Sequence, residues 1–161
     1  MRPPAAALLP FLLPCASAAA QGGGWETLYE VDGAHPGAVF GAGLALLDDI
    51  DGDGEPDLLV SAPFEDAAAG AAAGVVRILS GVDGSELRRH EGGFAGAWFG
   101  ATVAAVGDLD GDGRRDYCIQ RPNEDGVGAP ANSGLVGAYS GATGLELWTS
   151  PGRSSWGGFG T

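Results

Sequence analysis

The chain has 161 residues, a formal net charge of −13 and 30 glycines, and this composition excludes several classes of protein. Its hydrophobic content of 45% is too high for a disordered chain, while 30 glycines with 10 prolines favour many tight turns. A turn-rich all-β domain satisfies both conditions. Because 21 acidic residues outnumber 8 basic ones, the surface repels phosphate and anionic lipid. We therefore expect metal cations as partners and no nucleic acid.

The first twenty residues are predicted to be a secretory signal peptide. Arg2 precedes an apolar run at 5–13, and small residues fill positions 16–20. The run is too short for a membrane helix and contains proline, so we expect no membrane insertion after signal removal. The alternative is a lipid anchor at Cys15, although Pro14 departs from the bacterial lipobox pattern. Both interpretations predict a secreted or cell-surface protein.

Four landmarks recur in the same order at a spacing of 59 or 60 residues, which predicts two copies of one structural unit. They are a Phe-Gly segment, an Asp-rich loop, an apolar run that ends in Ser-Gly, and a final turn. One inserted residue explains the change in spacing, and insertions belong in surface loops. The matched segments are 37–41 with 96–100, 49–57 with 108–116, 74–81 with 134–141, and 83–87 with 143–147.

Each unit is predicted to contain four short β-strands, each bounded by Gly, Asp or Pro. In the first unit these segments are 41–47, 58–62, 75–80 and 86–90, with a tight hairpin turn at 82–84. Four antiparallel strands whose edges are covered by neighbouring copies form a propeller blade, so the predicted fold class is an all-β propeller. A β-sandwich is the alternative, but it does not require so even a period.

The repeat also predicts the division of the chain. The predicted parts are an N-terminal strand segment at 21–35, a first repeat at 36–94, a second at 95–154, and the beginning of a third at 155–161. Residues 25–31 align with the fourth strand of each unit, and we expect them to complete the last blade of a closed ring. A propeller usually needs about four to eight blades, so the sequence is expected to be part of a longer protein.

Each repeat contains the pattern Asp-x-Asp-x-Asp-Gly-x-x-Asp, which predicts one calcium ion in each loop. Alternate carboxylates in a sharply turned loop converge on one hard cation, and calcium takes about six to eight oxygens. Glycine at the sixth position permits the turn, and the seventh position offers a backbone carbonyl. The predicted ligands are Asp49, Asp51, Asp53, Glu55 and Asp57 in the first loop, and Asp108, Asp110, Asp112, Arg114 and Asp116 in the second.

Other interpretations of these loops fit less well. An EF-hand requires a glutamate at the twelfth position, which is Val60 when counted from Asp49, and its flanks are helices rather than strands. Magnesium retains its waters and seldom uses a site built from protein alone. The alternative that each loop is a solvated acidic turn without a metal remains, since Asp and Gly are common in turns. Two copies at the same place in the repeat favour the calcium interpretation.

The residues resemble the FG-GAP repeat of integrin alpha chains and of many bacterial secreted proteins. Phe40-Gly41, the loop at 49–57 and Ser61-Ala62-Pro63 carry the resemblance, which covers residues 36–161, whereas Gln120-Arg121-Pro122 keeps only the proline of the last motif. The resemblance implies a seven-bladed propeller whose calcium loops join the first two strands of a blade, away from the usual ligand surface. It implies structural calcium and a partner that contacts other loops.

The function predicted from this resemblance is binding or adhesion, with an unidentified extracellular protein or glycan as the partner and no catalysis. An accessory role beside a secreted hydrolase and a purely structural spacer are the alternatives. The sequence contains no nucleophile-elbow motif and no zinc-binding His cluster. His35 and His90 are therefore interpreted as surface residues, and Cys118 as a small buried hydrophobe.

Three tryptophans allow two interpretations, a sugar-binding platform or filling between blades. We interpret Trp98, Trp148 and Trp156 as core residues. Since Trp98 directly precedes Phe99, the two would face opposite ways in a strand, and at most one of them is expected in the core.

Overall fold

A computed structural model describes residues 27–154, which form two four-stranded antiparallel β-sheets. A short 3₁₀ turn, Pro36–Ala38, precedes the first sheet. Residues 27–154 include no helix with the length and hydrophobicity that a membrane span requires. The strands follow chain order across each sheet: β1 (Leu44–Leu46), β2 (Leu58–Ala62), β3 (Val75–Leu79) and β4 (Glu86–Glu91), then β5 (Val103–Ala105), β6 (Tyr117–Arg121), β7 (Leu135–Tyr139) and β8 (Glu146–Pro151).

The predicted strands of the first repeat agree with the observed ones, except that β1 is shorter than 41–47. Gly41 has a φ of 84°, so the residues before Leu44 form a turn rather than extended backbone. The predicted hairpin turn is confirmed, because Gly84 has a φ of 73° and its N–H donates to the Ser80 carbonyl at 3.0 Å. The predicted signal peptide and the beginning of a third repeat lie outside the described residues.

The described part of the N-terminal segment begins at Thr27 and belongs to no strand within the described residues. Tyr29 and Val31 lie against the β3–β4 turn, where a Cβ at Gly84 would be 2.6 Å from the Tyr29 ring. The pairing of this segment with a last blade stays a prediction.

The two sheets pack face to face and share one hydrophobic core. A Cβ at Gly43 would lie 2.9 Å from Val103 Cγ2, so this glycine allows β5 to approach β1 closely. Face-to-face packing of successive four-stranded sheets is the arrangement of neighbouring propeller blades, and the predicted fold class is confirmed. The core residues are Leu47, Leu59, Val76 and Ile78 from the first sheet, and Phe99, Val103, Tyr117, Ile119 and Tyr139 from the second.

The Phe-Gly segment of the second repeat is bound to the first repeat through the backbone. The N–H of Gly96 donates to Ala71 O at 2.8 Å, and the N–H of Phe99 donates to Ala73 O at 3.0 Å. Phe99 is buried, so the core member of this neighbouring pair is Phe99 and not Trp98. Trp98 lies in a turn with a φ of 54°, so the alternation of a strand does not apply to it.

The interpretation of the tryptophans as core residues is wrong for both that the structure describes. Trp98 is 43% exposed and packs edge-on against the exposed ring of Phe64, with ring centroids 5.5 Å apart. Trp148 on β8 is 46% exposed, and Trp156 lies outside the described residues. Cys118 is only half-buried, because its face of the second sheet is not covered by any described strand.

His90 is not a surface residue, because it lies between the two sheets. Its Nε2 is 2.7 Å from the Tyr117 hydroxyl, and its ring centroid is 4.9 Å from that of Tyr139. Burial, with the nearby charges of Arg88 and Arg121, lowers the pKa of His90 from 6.5 to about 4. The imidazole is therefore neutral in the folded protein at physiological pH.

Candidate metal centres

The two acidic loops join the first and second strands of each sheet. The N–H of Leu47 donates to Asp57 O at 2.8 Å, and the N–H of Val106 donates to Asp116 O at 2.7 Å, so both loops are closed at their base. The β3–β4 and β7–β8 turns lie at the same end of their sheets, because the strands are antiparallel. Each acidic loop is therefore held between its own strands and the neighbouring hairpin turn.

Within each loop, the first aspartate accepts hydrogen bonds from the glycines at the fourth and sixth positions. Each of these glycines has a positive φ, between 82° and 100°, which a side chain would disfavour. The turn predicted at the sixth position is confirmed, and the fourth position has the same requirement. The N···O distances from Gly52 and Gly54 to Asp49 are 2.6 and 3.0 Å, and those from Gly111 and Gly113 to Asp108 are 2.7 and 2.9 Å.

The ninth aspartate is buried in both loops and connects the loop to the hairpin turn. Asp57 accepts the N–H of Ile50 at 2.7 Å and the N–H of Gly81 at 3.1 Å. Asp116 has the equivalent bonds, from Leu109 at 2.7 Å and from Gly141 at 2.8 Å. A carboxylate has about four lone-pair sites, so these bonds leave acceptor capacity for a cation.

The structure brings three predicted ligands together in each loop. One carboxylate oxygen from each of Asp49, Asp51 and Asp53 lies within 4.8 Å of the others, and Asp108, Asp110 and Asp116 form the corresponding group. Asp57 and Asp112 stand outside these groups, so the two groups differ in their third member. Glu55 and Arg114 follow as the seventh residues, and their N–H groups donate to Asp53 and Asp112 at 2.9 and 2.8 Å.

Backbone hydrogen bonds keep the first aspartate of each loop ionised. Desolvation acts to raise the pKa of Asp49, but several backbone N–H donors, of which Gly54 is the strongest, hold it below the ordinary value. The pKa of Asp108 is also lowered, mainly by the N–H of Gly113. An ionised carboxylate is the form that binds a cation.

Asp51 shows the effect of crowding negative charges. Desolvation raises its pKa, and the charges of Asp53, Asp57 and Asp49 raise it further. A divalent cation among these carboxylates would remove that repulsion.

The sequence interpretation missed two serines that hold the fifth aspartate. Ser80 Oγ donates to Asp53 Oδ2 at 3.1 Å, and Ser140 Oγ donates to Asp112 Oδ2 at 3.1 Å. The recurring Ser-Gly pair at the end of the third strand was the sequence pattern that could have identified them.

The comparisons with known proteins agree with this geometry. Residues 40–79, which contain the first acidic loop, match the model of the FG-GAP repeat. This chain is an FG-GAP repeat protein, similar to integrin alpha chains. The second acidic loop lies outside the matched residues, but its glycines donate equivalent hydrogen bonds to its first aspartate.

Integrin alpha chains from several animals match about three quarters of this chain. The chain is 33% identical to integrin alpha-4 of Xenopus laevis over 117 residues, which are 71% of this chain and 11% of that protein. It is 34% identical to integrin alpha-V of Gallus gallus over 132 residues, 75% of this chain and 12% of that protein. For integrin alpha-X of Mus musculus the identity is 33% over 135 residues, 79% of this chain and 11% of that protein. The chain thus spans about a tenth of the length of these relatives.

Proposed function

We propose that each FG-GAP repeat binds one calcium ion in its acidic loop and that the ion has a structural role. The observation that carries this proposal is the set of equivalent hydrogen bonds in the two loops, which hold the first, fifth and ninth aspartates of each. In the first loop Asp49, Asp51, Asp53 and Asp57 would hold the ion with the carbonyl of Glu55. In the second, Asp108, Asp110, Asp112 and Asp116 would hold it with the carbonyl of Arg114.

The donor set of these loops fits calcium. The converging atoms are carboxylate oxygens, without a His or Cys in either group. Hard oxygen donors suit calcium and magnesium rather than zinc or copper, and a loop that supplies all its ligands from one short segment suits calcium better than magnesium.

A structural role follows from what the loop contacts. The buried ninth aspartate already bonds the β3–β4 or β7–β8 turn through Gly81 or Gly141. A cation held by the same carboxylates would fix the loop between the first two strands to the turn between the last two. The ion would thus stabilise the blade rather than form its binding surface.

We also propose that the full protein is a secreted or cell-surface adhesion module with a seven-bladed propeller and an extracellular protein or glycan as its partner. Similarity to integrin alpha chains supports this proposal. The partner would bind at the end of the blades opposite the acidic loops. There the exposed ring of Phe64, in the 64–73 loop, packs against the exposed ring of Trp98. The counterpart of this loop, at 123–133, contains the inserted residue.

Thermal unfolding tests the calcium proposal. At a calcium concentration a hundred times Kd, each occupied site adds about 2.7 kcal/mol of stability, so calcium should raise Tm by several degrees. The Asp51→Ala, Asp110→Ala double variant should lose this response. A Glu30→Ala, Asp32→Ala variant makes the same change of charge outside the loops and should retain it. If calcium raised the Tm of the Asp51→Ala, Asp110→Ala variant as much as that of the unmodified chain, the proposal would be contradicted.

A further inference from the structure

The two acidic loops are joined by one residue from each repeat. The backbone N–H of Arg115 donates to Asp48 Oδ2 at 2.7 Å, and Arg115 Nε lies 3.8 Å from Asp48 Oδ1. Asp48 directly precedes Asp49, the first predicted ligand of the first loop. Arg115 directly precedes Asp116, the last predicted ligand of the second loop. The contact therefore lies one residue from each candidate cation site.

Both residues of this contact depart from the repeat pattern. In the first repeat the position of Arg115 is taken by Pro56, which has no N–H to donate. In the second repeat the position of Asp48 is taken by Gly107, which has no carboxylate. The first repeat therefore supplies the acceptor but not the donor, and the second repeat supplies the donor but not the acceptor.

The backbone of Arg115 is fixed by contacts that begin at the second cation site. Asp116 Oδ1 accepts the N–H of Gly141 at 2.8 Å. A Cβ at Gly141 would collide with the carbonyl oxygen of Arg115, so these two residues are in close backbone contact. A change in the position of the Asp116 carboxylate is therefore transmitted to the N–H that holds Asp48.

We infer that the two loops bind calcium cooperatively through the hydrogen bond between Arg115 and Asp48, an inference that rests on the proposed function. A cation that holds Asp116 orders Arg115, whose N–H fixes Asp48 and the adjacent Asp49. The first loop then loses less conformational freedom when it binds its own ion. The effect is reciprocal, as binding linkage requires, and for a contact this exposed we expect a factor of about five in affinity.

Calorimetric calcium titrations of the full chain measure this coupling. Asp110→Ala leaves only the first loop functional and Asp51→Ala only the second, so the two variants give the single-site association constants. In the unmodified chain, the product of the two stepwise constants should exceed the product of the single-site constants about fivefold. If circular dichroism shows that an alanine variant is misfolded, Asp53→Lys and Asp112→Lys take their place, because a lysine removes the ligand oxygen and repels the ion.

Two substitutions of Asp48 separate the hydrogen bond from the charge. Asp48→Ala and Asp48→Asn both remove the charge, but only asparagine keeps an oxygen that accepts the N–H of Arg115. The coupling factor should fall to about one in the alanine form and persist in the asparagine form. A factor of one in the unmodified chain, or an undiminished factor in Asp48→Ala, would overturn the inference while leaving individual calcium binding intact. No calcium uptake by any form would overturn the proposed function as well.

Discussion

The two repeats place a guanidinium group at the same point but take it from different strands. In the first sheet, Arg77 on β3 pairs with Glu65 at 2.5 Å and with Glu86 at 2.9 Å, and it lies 5.2 Å from the centre of the Phe40 ring. In the second sheet, Arg121 on β6 contacts Glu124, Glu146 and Tyr139, and it lies 5.5 Å from the Phe99 ring. The acidic and aromatic partners are equivalent in the repeat, whereas the arginines are not.

Glycine in the second repeat makes this exchange possible. The residue equivalent to Arg77 is Gly137, where a Cβ would lie 2.9 Å from Arg121 Nη2. The residue equivalent to Arg121 is Ala62. The departure of Gln120-Arg121-Pro122 from the family motif therefore has a structural reason. The fold preserves the position of the buried charge rather than the residue that supplies it.

Removing the arginine of the second sheet should have the largest effect on stability. The Arg121 side chain is 11% exposed, and Arg121→Ala would leave Glu124 and Glu146 beside Tyr139 without a cation. We expect a loss of about 3 kcal/mol in the free energy of unfolding, measured by urea denaturation.

A swap variant provides the matched control for that prediction. Arg121→Ala combined with Gly137→Arg recreates the arrangement of Ala62 and Arg77, so it should recover most of the lost stability. Gly137→Arg alone would place two guanidinium groups in one space and should destabilise. A double variant no more stable than Arg121→Ala would contradict the equivalence of the two positions.

Lowering the pH should reduce the free energy of unfolding by protonating His90, which lies between the repeats. This loss should be smaller than that caused by Arg121→Ala. The pKa of His90 is about 4 in the folded protein, against 6.5 for the free side chain, because burial disfavours the charged imidazole. The unfolded chain therefore binds more protons between these values, so stability is full above pH 6.5 and is lost as the pH falls through 4. Allowing for partial solvent screening, we expect a loss of about 2 kcal/mol by pH 4.

The control for this pH dependence is His90→Gln, which retains a hydrogen-bonding group for Tyr117 but does not titrate. The difference between the two denaturation series isolates His90 from the many carboxylates. Parallel pH profiles for the variant and the unmodified chain would contradict the assignment.

The strands and the acidic loops could be predicted from sequence because both depend on local patterns. Apolar runs define β2 and β3, and flanking Gly and Asp residues define β4, each to within one residue. The spacing of the aspartates defines the loops, because the first aspartate and the sixth-position glycine are close in sequence and are joined by a hydrogen bond. The recurrence at 59 or 60 residues made both patterns more specific.

What could not be predicted depends on contacts between residues far apart in sequence. Arg121 can take the place of Arg77 only because Gly137 has no side chain there, and this is apparent only from the packed sheet. The contact between Asp48 and Arg115 crosses from one repeat to the other. Trp98 was interpreted as a core residue because aromatic side chains fill the space between blades, but it has a positive φ that the sequence pattern did not indicate.

Direct counting of bound calcium tests the central claim, that each repeat holds one structural ion. Isothermal titration of the full chain should give two ions per chain, one after Asp51→Ala or Asp110→Ala, and none in the double variant. Two ions retained by the double variant, or none bound by the unmodified chain, would contradict the claim.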